Sequence, residues 1–384
     1  MYATDTQQEA DRIMTICNAC RYCEGLCAVF PAMEMRRAFT PGDLNYFANL
    51  CHACGACYYD CQFSPPHEFS VDVPQTLAKL RGETYQAYAW PRAFAGVFAR
   101  NGLAISLIAA LSVAVFILGF VAANDPSVVF ATQTGAGAFY RLMPHNWMVA
   151  IFGAAFIYAI VALVMGFRNF WRDIGEPSHP LDDGGSIWQA VKDAASLRYL
   201  DGGGMGCMND SPRPKDGRRH AHHATFYGFM LCFASTCIAT LYHYFLGREA
   251  PYPWYDLPVV LGTLGGIGLV VGPIGLYIAK RRRDPAMVDH TKTGMDVAFI
   301  AMLFLTGLTG LLLLLLRATP AMGILLAVHL GVVFSLFVTM PYGKFVHGIY
   351  RFAALVRYAK ERRAHEAPPK AAAPAGARPV ANPG

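Results

Sequence analysis

The sequence predicts a mainly α-helical protein in two parts, a small cysteine-bearing head followed by a bundle of six membrane-spanning helices. Two observations carry that prediction. Eight of the eleven cysteines fall in two short runs before residue 62, and the chain beyond residue 100 is dominated by Leu-, Ala- and Gly-rich stretches of membrane-crossing length. Composition agrees: of 384 residues, 54% are hydrophobic and 15% charged, a membrane-protein profile joined to a more polar N-terminal part. The formal charge of +6 does not point to nucleic acid, because the basic residues cluster beside apolar spans.

The first run reads Cys17-Asn-Ala-Cys20-Arg-Tyr-Cys23-Glu-Gly-Leu-Cys27 and the second Cys51-His-Ala-Cys54-Gly-Ala-Cys57-Tyr-Tyr-Asp-Cys61. Both follow C-x2-C-x2-C-x3-C. That spacing wraps three thiolates around one face of an iron–sulfur cubane and sends the fourth to another cluster. Two copies predict a two-cluster ferredoxin-like domain over residues 1–80. Cys17, Cys20, Cys23 and Cys61 would hold one 4Fe–4S cluster, and Cys51, Cys54, Cys57 and Cys27 the other. Structural zinc prefers two C-x2-C pairs a dozen or more residues apart. Disulfides need an oxidising compartment, and residues 1–16 carry charges and no apolar run of the signal-peptide kind. The cysteines therefore read as metal ligands in a reducing compartment. No Pro directly follows Cys27 or Cys61; Pro31, Pro65 and Pro66 come later.

Within the head, 33–47 reads as partly helical. Residues 81–102 read as an amphipathic linker helix lying on the membrane, anchored by Trp90, Phe94 and Phe98 with Arg92 and Arg100 beside them. Six spans follow at about 103–123, 146–167, 223–246, 257–279, 295–316 and 321–341, in a membrane domain over 103–363. Gly262, Gly265, Gly266, Gly268 and Gly272 in the fourth span predict close helix packing and not a nucleotide loop, since no strand precedes them. Basic residues crowd one set of ends, Arg168, Arg172, Arg218, Arg219, Lys280 to Arg283 and Lys344 among them. The other ends receive Arg141, Arg248 and Arg317. This asymmetry places the head and both termini on the cytoplasmic side of an inner membrane. The Ala/Pro-rich tail, 364–384, predicts disorder.

Ionisable residues within membrane helices are functional candidates. His222 or His223 and His243 sit at the two ends of the third span, and His329 and His347 flank the sixth, which runs antiparallel to it. Histidines matched in depth on antiparallel helices are what bis-histidine b-type haem requires. The pattern predicts one pair of His243 with His329 and another of His347 with His222 or His223. His329 and His347 are eighteen residues apart, five turns and about 27 Å along one helix face. Counting back from His243, His222 falls about 60° off a shared face and His223 about 200° off, so phase favours His222 in a regular helix. His145 competes for the outer site, and the sequence leaves one haem or two open. His52 and His67 read as head scaffold, and His179 and His290 as loop residues. Packing or interfacial histidines are the competing explanation.

A further feature is Tyr199-Leu-Asp-Gly-Gly-Gly-Met-Gly-Cys-Met-Asn209, a glycine-rich loop that could cap a haem edge, dock a partner or simply be flexible. Cys207 has no adjacent His or Lys to activate it and receives no catalytic role. With the cysteine runs, the segment Cys51 to Phe69 and the stretch Pro341-Tyr-Gly-Lys-Phe-Val-His-Gly348, this loop makes the chain resemble the tricarballylate-utilization protein B family, also called citrate-utilization protein B. The resemblance runs to about residue 363. That family is similar in architecture to the C-terminal half of a fused flavoprotein of aerobic cobalamin synthesis.

The resemblance implies an electron-transfer protein that reoxidises a partner FAD-dependent dehydrogenase and passes electrons to membrane quinone. The eight cysteines would be cluster ligands and the histidines haem ligands. The chain itself would transform no metabolite, so no catalytic residue is expected. The alternative is an electron-transfer subunit of a flavoprotein monooxygenase in cobalamin biosynthesis, although no flavin fingerprint precedes the cysteine runs. A cluster-bearing redox sensor, with neither haem nor quinone reduction, is the non-catalytic alternative.

Overall fold

The computed structural model describes residues 4–176, 182–202, 204 and 206–366, and among these all regular structure is helical. The head opens with α1 (Asp5–Cys20), capped by the Thr4 side chain and ended by Arg21 at φ 56, whose N–H returns to the Cys17 carbonyl. That left-handed stop turns the chain sharply just after Cys20. Helix α2 (Val29–Glu34) follows, then α3 (Pro41–Leu50), which starts in a reciprocal capping box between Thr40 and Asp43 with Pro41 in the first turn. The second cysteine run forms a single turn, α4 (Ala56–Tyr59). Helix α5 (Val73–Tyr88) closes the head, burying Leu77, Leu80 and Tyr85 against Ile13, Met14, Leu44 and Phe47.

This corrects the expectation of one interfacial helix over 81–102. Arg81, Thr84, Tyr85 and Tyr88 are buried in the last turns of α5. A separate tight turn over Arg92–Phe98 then leads to the bundle, with Phe98 buried and Phe94 exposed.

The chain continues as α6 (Asn101–Ala123), a short α7 (Pro126–Val129), α8 (His145–Asp173), α9 (Gly184–Ala195), α10 (Gly217–Leu246), α11 (Leu257–Arg281), α12 (Thr293–Leu316) and α13 (Met322–Thr339), of which α9 lies outside the bundle. Of these, α6, α8 and α10 to α13 are long and apolar enough to cross a membrane. Exposed Leu107, Leu111, Leu118, Ile157 and Val164 give α6 and α8 apolar outer faces. The glycines of α11 serve packing, as expected. A Cβ on Gly265 would lie 2.7 Å from Cys232 Sγ, and one on Gly268 would lie 2.7 Å from the Ala224 carbonyl. The backbones of α10 and α11 thus approach as closely as small-residue stripes allow.

Two features depart from the sequence reading. The chain breaks at Met340–Tyr342, where Pro341 interrupts the helix, and resumes as α14 (Val346–Glu366). His329 and His347 therefore lie on different helices, and the five-turn count between them does not apply. Helix α14 also leaves the bundle and packs on the head and on α9, burying Tyr350, Ala353, Ala354, Val356 and Tyr358. Residues 364–366 are its last turn; the remainder of the expected tail lies outside the described residues, as does His179.

Buried charge welds this seam. Asp43 pairs with Arg36 at 2.8 Å and Arg357 at 3.0 Å, Arg357 pairs with Glu361 at 2.8 Å, and Arg36 also meets Glu361. The end of α8 enters the same joint, where the Asp173 carboxylate accepts from Asn45 at 2.7 Å and from Tyr88.

Candidate metal centres

The left-handed stop at Arg21 puts Cys17, Cys20 and Cys23 on one side of a turn, and the chain returns Cys61 to face them. These four thiols line a cavity of about 230 Å3 with Asp60 and Phe30. Burial, then the neighbouring Cys23, Cys61 and Cys20, push the Cys17 thiol up to about 12. Cys23 is pushed to about 12 by burial, then by Cys61 and Asp60.

The other four cysteines form a second group. Cys27 and Cys57 are raised well above the usual thiol value by burial and by proximity to Cys54 and Cys51. Cys51 and Cys54 are themselves buried. Membership of the two groups is the exchanged pattern that the spacing predicts, since Cys61 joins the first run and Cys27 the second. Crowded thiols of this kind hold their protons until a cationic core makes them thiolates, which is the donor chemistry of an iron–sulfur site. Among the described residues no three His, Cys, Asp or Glu side chains close on a single metal ion.

Cys207 and Met208 of the glycine-rich loop brace the second group. Cys207 is buried, its Sγ donates to the Cys54 carbonyl at 3.3 Å, and its backbone pairs with Lys215. Gly55, at φ +88, sits where a Cβ would collide with the Met208 carbonyl. The loop caps a cysteine run and so is not a plain surface loop.

Below the second group lies an imidazole pair. Helix α10 begins six residues before His223, so its turns are regular at this depth, and they bring His222 up to His347. The two rings stand 6.2 Å apart between centroids and 78° apart in plane. With their rings this close, His222 and His347 are the pair that could hold a haem iron, which would supply a one-electron carrier. The Nδ1 of His347 meets the Lys344 carbonyl. A carbonyl only accepts, so Nδ1 carries the proton and Nε2 keeps its lone pair, as second-shell bonding arranges for ligand histidines. On His222, Nδ1 is buried without a partner. Phe299 packs on His347 and on Phe345, which in turn meets Phe229. His223 faces Tyr227 instead, with ring centroids 5.8 Å apart.

His243 and His329 are arranged differently. His243 stacks on His145 at 3.7 Å, and among the described residues no ring contact joins it to His329. His329 lies against α12, with Nδ1 2.9 Å from Thr309 Oγ1 and Gly310 leaving room for the ring. His52 is buried, its Nδ1 donating to the Leu50 carbonyl at 2.8 Å. Burial and then Arg351 hold it well below the usual imidazole range, which keeps it neutral. His67 packs on Phe63 and Phe69, as head scaffold.

Sequence reasoning missed the arginines between these groups. Arg218 lies one turn before His222 and donates to the Ala53 carbonyl at 2.7 Å. Arg351 lies one turn after His347 and donates to the Cys51 carbonyl at 2.9 Å. The four-residue offset on either side of the two histidines was a signal available in the sequence.

The family model for citrate utilization protein B matches residues 96–368, and that for its Fer4-like domain matches residues 10–87. An Escherichia coli protein described as citrate utilization protein B is 50% identical over 361 residues, covering 94% of each chain. No solved structure matches. With a family model over most of its length and a relative at half identity end to end, the chain belongs to the citrate utilization protein B family.

Proposed function

We propose that this chain is a membrane electron conduit that reoxidises a soluble FAD-dependent dehydrogenase of citrate or tricarballylate utilization and delivers the electrons to quinone in the inner membrane. The Fer4-like head supports the iron–sulfur part, and the six apolar helices support a multi-pass membrane setting. When bound, clusters and haem supply one-electron carriers between a two-electron flavin donor and a quinone. The chain's own share is placement. Cys17, Cys20, Cys23 and Cys61 would hold the outer cluster at a cavity open to a docking flavoprotein on the cytoplasmic side. Cys27, Cys51, Cys54 and Cys57 would hold the inner cluster, and His222 with His347 one b-type haem.

One observation carries this reading. The Cys51–Ala53 loop is tied through Arg218 and Arg351 to the helices that bear His222 and His347, one turn from each imidazole. Those ties support a reading in which thiols and imidazoles form one fixed series. An outer haem on His243 and His329 would require His243 to leave its stack on His145, so the reading takes one haem.

The test is a reduced-minus-oxidised optical spectrum of the purified full chain, with iron and haem counted per polypeptide. About eight non-haem irons and one low-spin haem are expected. Protein with no more than about four such irons, or without haem, would refute the series as stated.

A further inference from the structure

Four guanidinium groups converge on the second cysteine run. Arg81 donates to the Ala48 carbonyl at 3.0 Å and the Cys51 carbonyl at 2.8 Å. Arg351 reaches Cys51 O at 2.9 Å, Arg218 reaches Ala53 O at 2.7 Å, and Arg283 reaches the same carbonyl at 3.3 Å. Arg218 also lies 3.6 Å from the Cys207 sulfur. They come from α5, α14, the start of α10 and the segment after α11, so four distant pieces of chain bring one charge each to a single loop. Among the described residues none of the four forms an ion pair, and the Nε atoms of Arg283 and Arg351 are buried without partners.

That is unlike the rest of the head. At the seam with α14, Arg36 and Arg357 are matched by Asp43 and Glu361. Asp72 and Asp296 lie within electrostatic reach of Arg283 but make no ion pair with it, and buried cations without a contacting counterion are costly unless something negative lies beside them. Backbone carbonyls supply only dipoles. The first thiol group is the reverse case: its cavity is lined by Asp60 and by none of these arginines.

The geometry points to a cationic collar: Arg81, Arg218, Arg283 and Arg351 raise the reduction potential of a cluster on Cys27, Cys51, Cys54 and Cys57 above that of a cluster on Cys17, Cys20, Cys23 and Cys61. This rests on the two-cluster reading above. A tetrathiolate cluster is anionic and gains one further negative charge on reduction. Burial opposes that gain, while nearby fixed positive charge favours it. The buried second group would have the lower potential by burial alone, and the collar reverses the order. One electron then moves from the reduced outer centre to the oxidised inner one, with no bond made or broken and no proton required. Because Arg218 and Arg351 also flank His222 and His347, the charge stands where an arriving electron is next needed.

The experiment is a redox titration of the purified full chain followed by electron paramagnetic resonance. Two cluster waves are expected, and Cys20→Ser should remove the lower one, which assigns it. Arg218→Gln and Arg283→Gln, made separately, should each move only the upper wave, to lower potential. Arg218→Lys, which keeps the charge, should leave that wave in place. An upper wave unmoved in both glutamine variants overturns the collar, as does an equal shift of both waves or loss of the upper wave in Cys20→Ser. Failure of the two-cluster reading is distinct, because it appears in the wild-type iron count before any variant is made.

Discussion

The contact between α10 and α11 sets the position of His222, and Gly228→Ala tests it. A Cβ at Gly228 would lie 2.9 Å from the Gly265 carbonyl oxygen, from the Gly268 carbonyl carbon and from the Leu269 nitrogen, where ordinary contact begins at 3.4 Å. All three atoms are backbone, so no side chain can rotate away, and the helices must part by roughly 0.5 Å to restore normal contact. Overpacking of this kind costs about 1–3 kcal/mol. At roughly 1 °C per kcal/mol for a chain of this length, the melting midpoint in detergent falls by about 1–4 °C. The same displacement acts on His222, two turns away on α10, whose ring stands 6.2 Å from that of His347. Metal–ligand distances tolerate only about 0.2 Å, so haem content falls as well. Gly119→Ala in α6 is the control, because nothing lies within 4 Å of a Cβ there. A Gly228→Ala protein with the midpoint and haem content of the Gly119→Ala protein would refute the idea that this stripe fixes the ligand.

Three further outcomes are expected. Cys17→Ser and Cys61→Ser should each strip the same roughly four irons, and the double variant no more, whereas Cys17→Ser with Cys57→Ser should empty both centres in an iron assay. His222→Leu and His347→Leu should each abolish the haem band in the optical spectrum, while His223→Leu keeps it. Asp43→Ala breaks a buried charge network and a capping box, at a cost of roughly 3–5 kcal/mol in thermal unfolding. Burial alone would raise the Asp43 pKa, but bonds from Thr40 and the charge of Arg36 outweigh it and hold the carboxyl below its usual value. Its stabilisation is therefore full above pH 3.8 and is lost as pH falls from there through the folded value. An Asp43→Asn protein should lack that acid-side fall, and retention of the wild-type slope would count against the network.

Much of this architecture was legible because its signals are local. Thiolate spacing within eleven residues announces a cubane, and twenty apolar residues announce a span, whatever the rest of the chain does. The glycines of α11 were readable for the same reason, since small residues repeated on one helix face imply a close neighbour even when that neighbour is unknown. The misses are long-range. Arg357 looks like the polar end of a membrane helix until Asp43 and Tyr46, some three hundred residues earlier, are seen against it. Arg218 and Arg351 left only their four-residue offset from His222 and His347, and Arg81 and Arg283 left no motif, because they bind backbone carbonyls, which any sequence supplies. The helix break was visible in Pro341 and Gly343, but a count of residues from His329 to His347 assumes continuity and passes over it. Pairing of His243 was read from depth alone, and depth does not say which way a ring points; the ring lies against His145.

The joint between head and bundle decides whether the series of sites can work at all. A head tied only by the Arg92–Phe98 turn would sample many orientations, and the spacing between thiols and imidazoles would vary with them. The chain prevents this from three directions. Asp173, at the end of α8, accepts from Asn45 and Tyr88 of the head. Helix α14 inserts Arg357 between Asp43 and Glu361 and donates to the Ile174 carbonyl. The loop carrying Cys207 closes over Cys54. None of these contacts touches a thiol sulfur of the two cysteine runs or an imidazole, and the last holds the backbone of Cys54 itself. Loosening the joint should therefore slow transfer between head and bundle while leaving iron and haem content unchanged, a separation that damage to a ligand cannot produce.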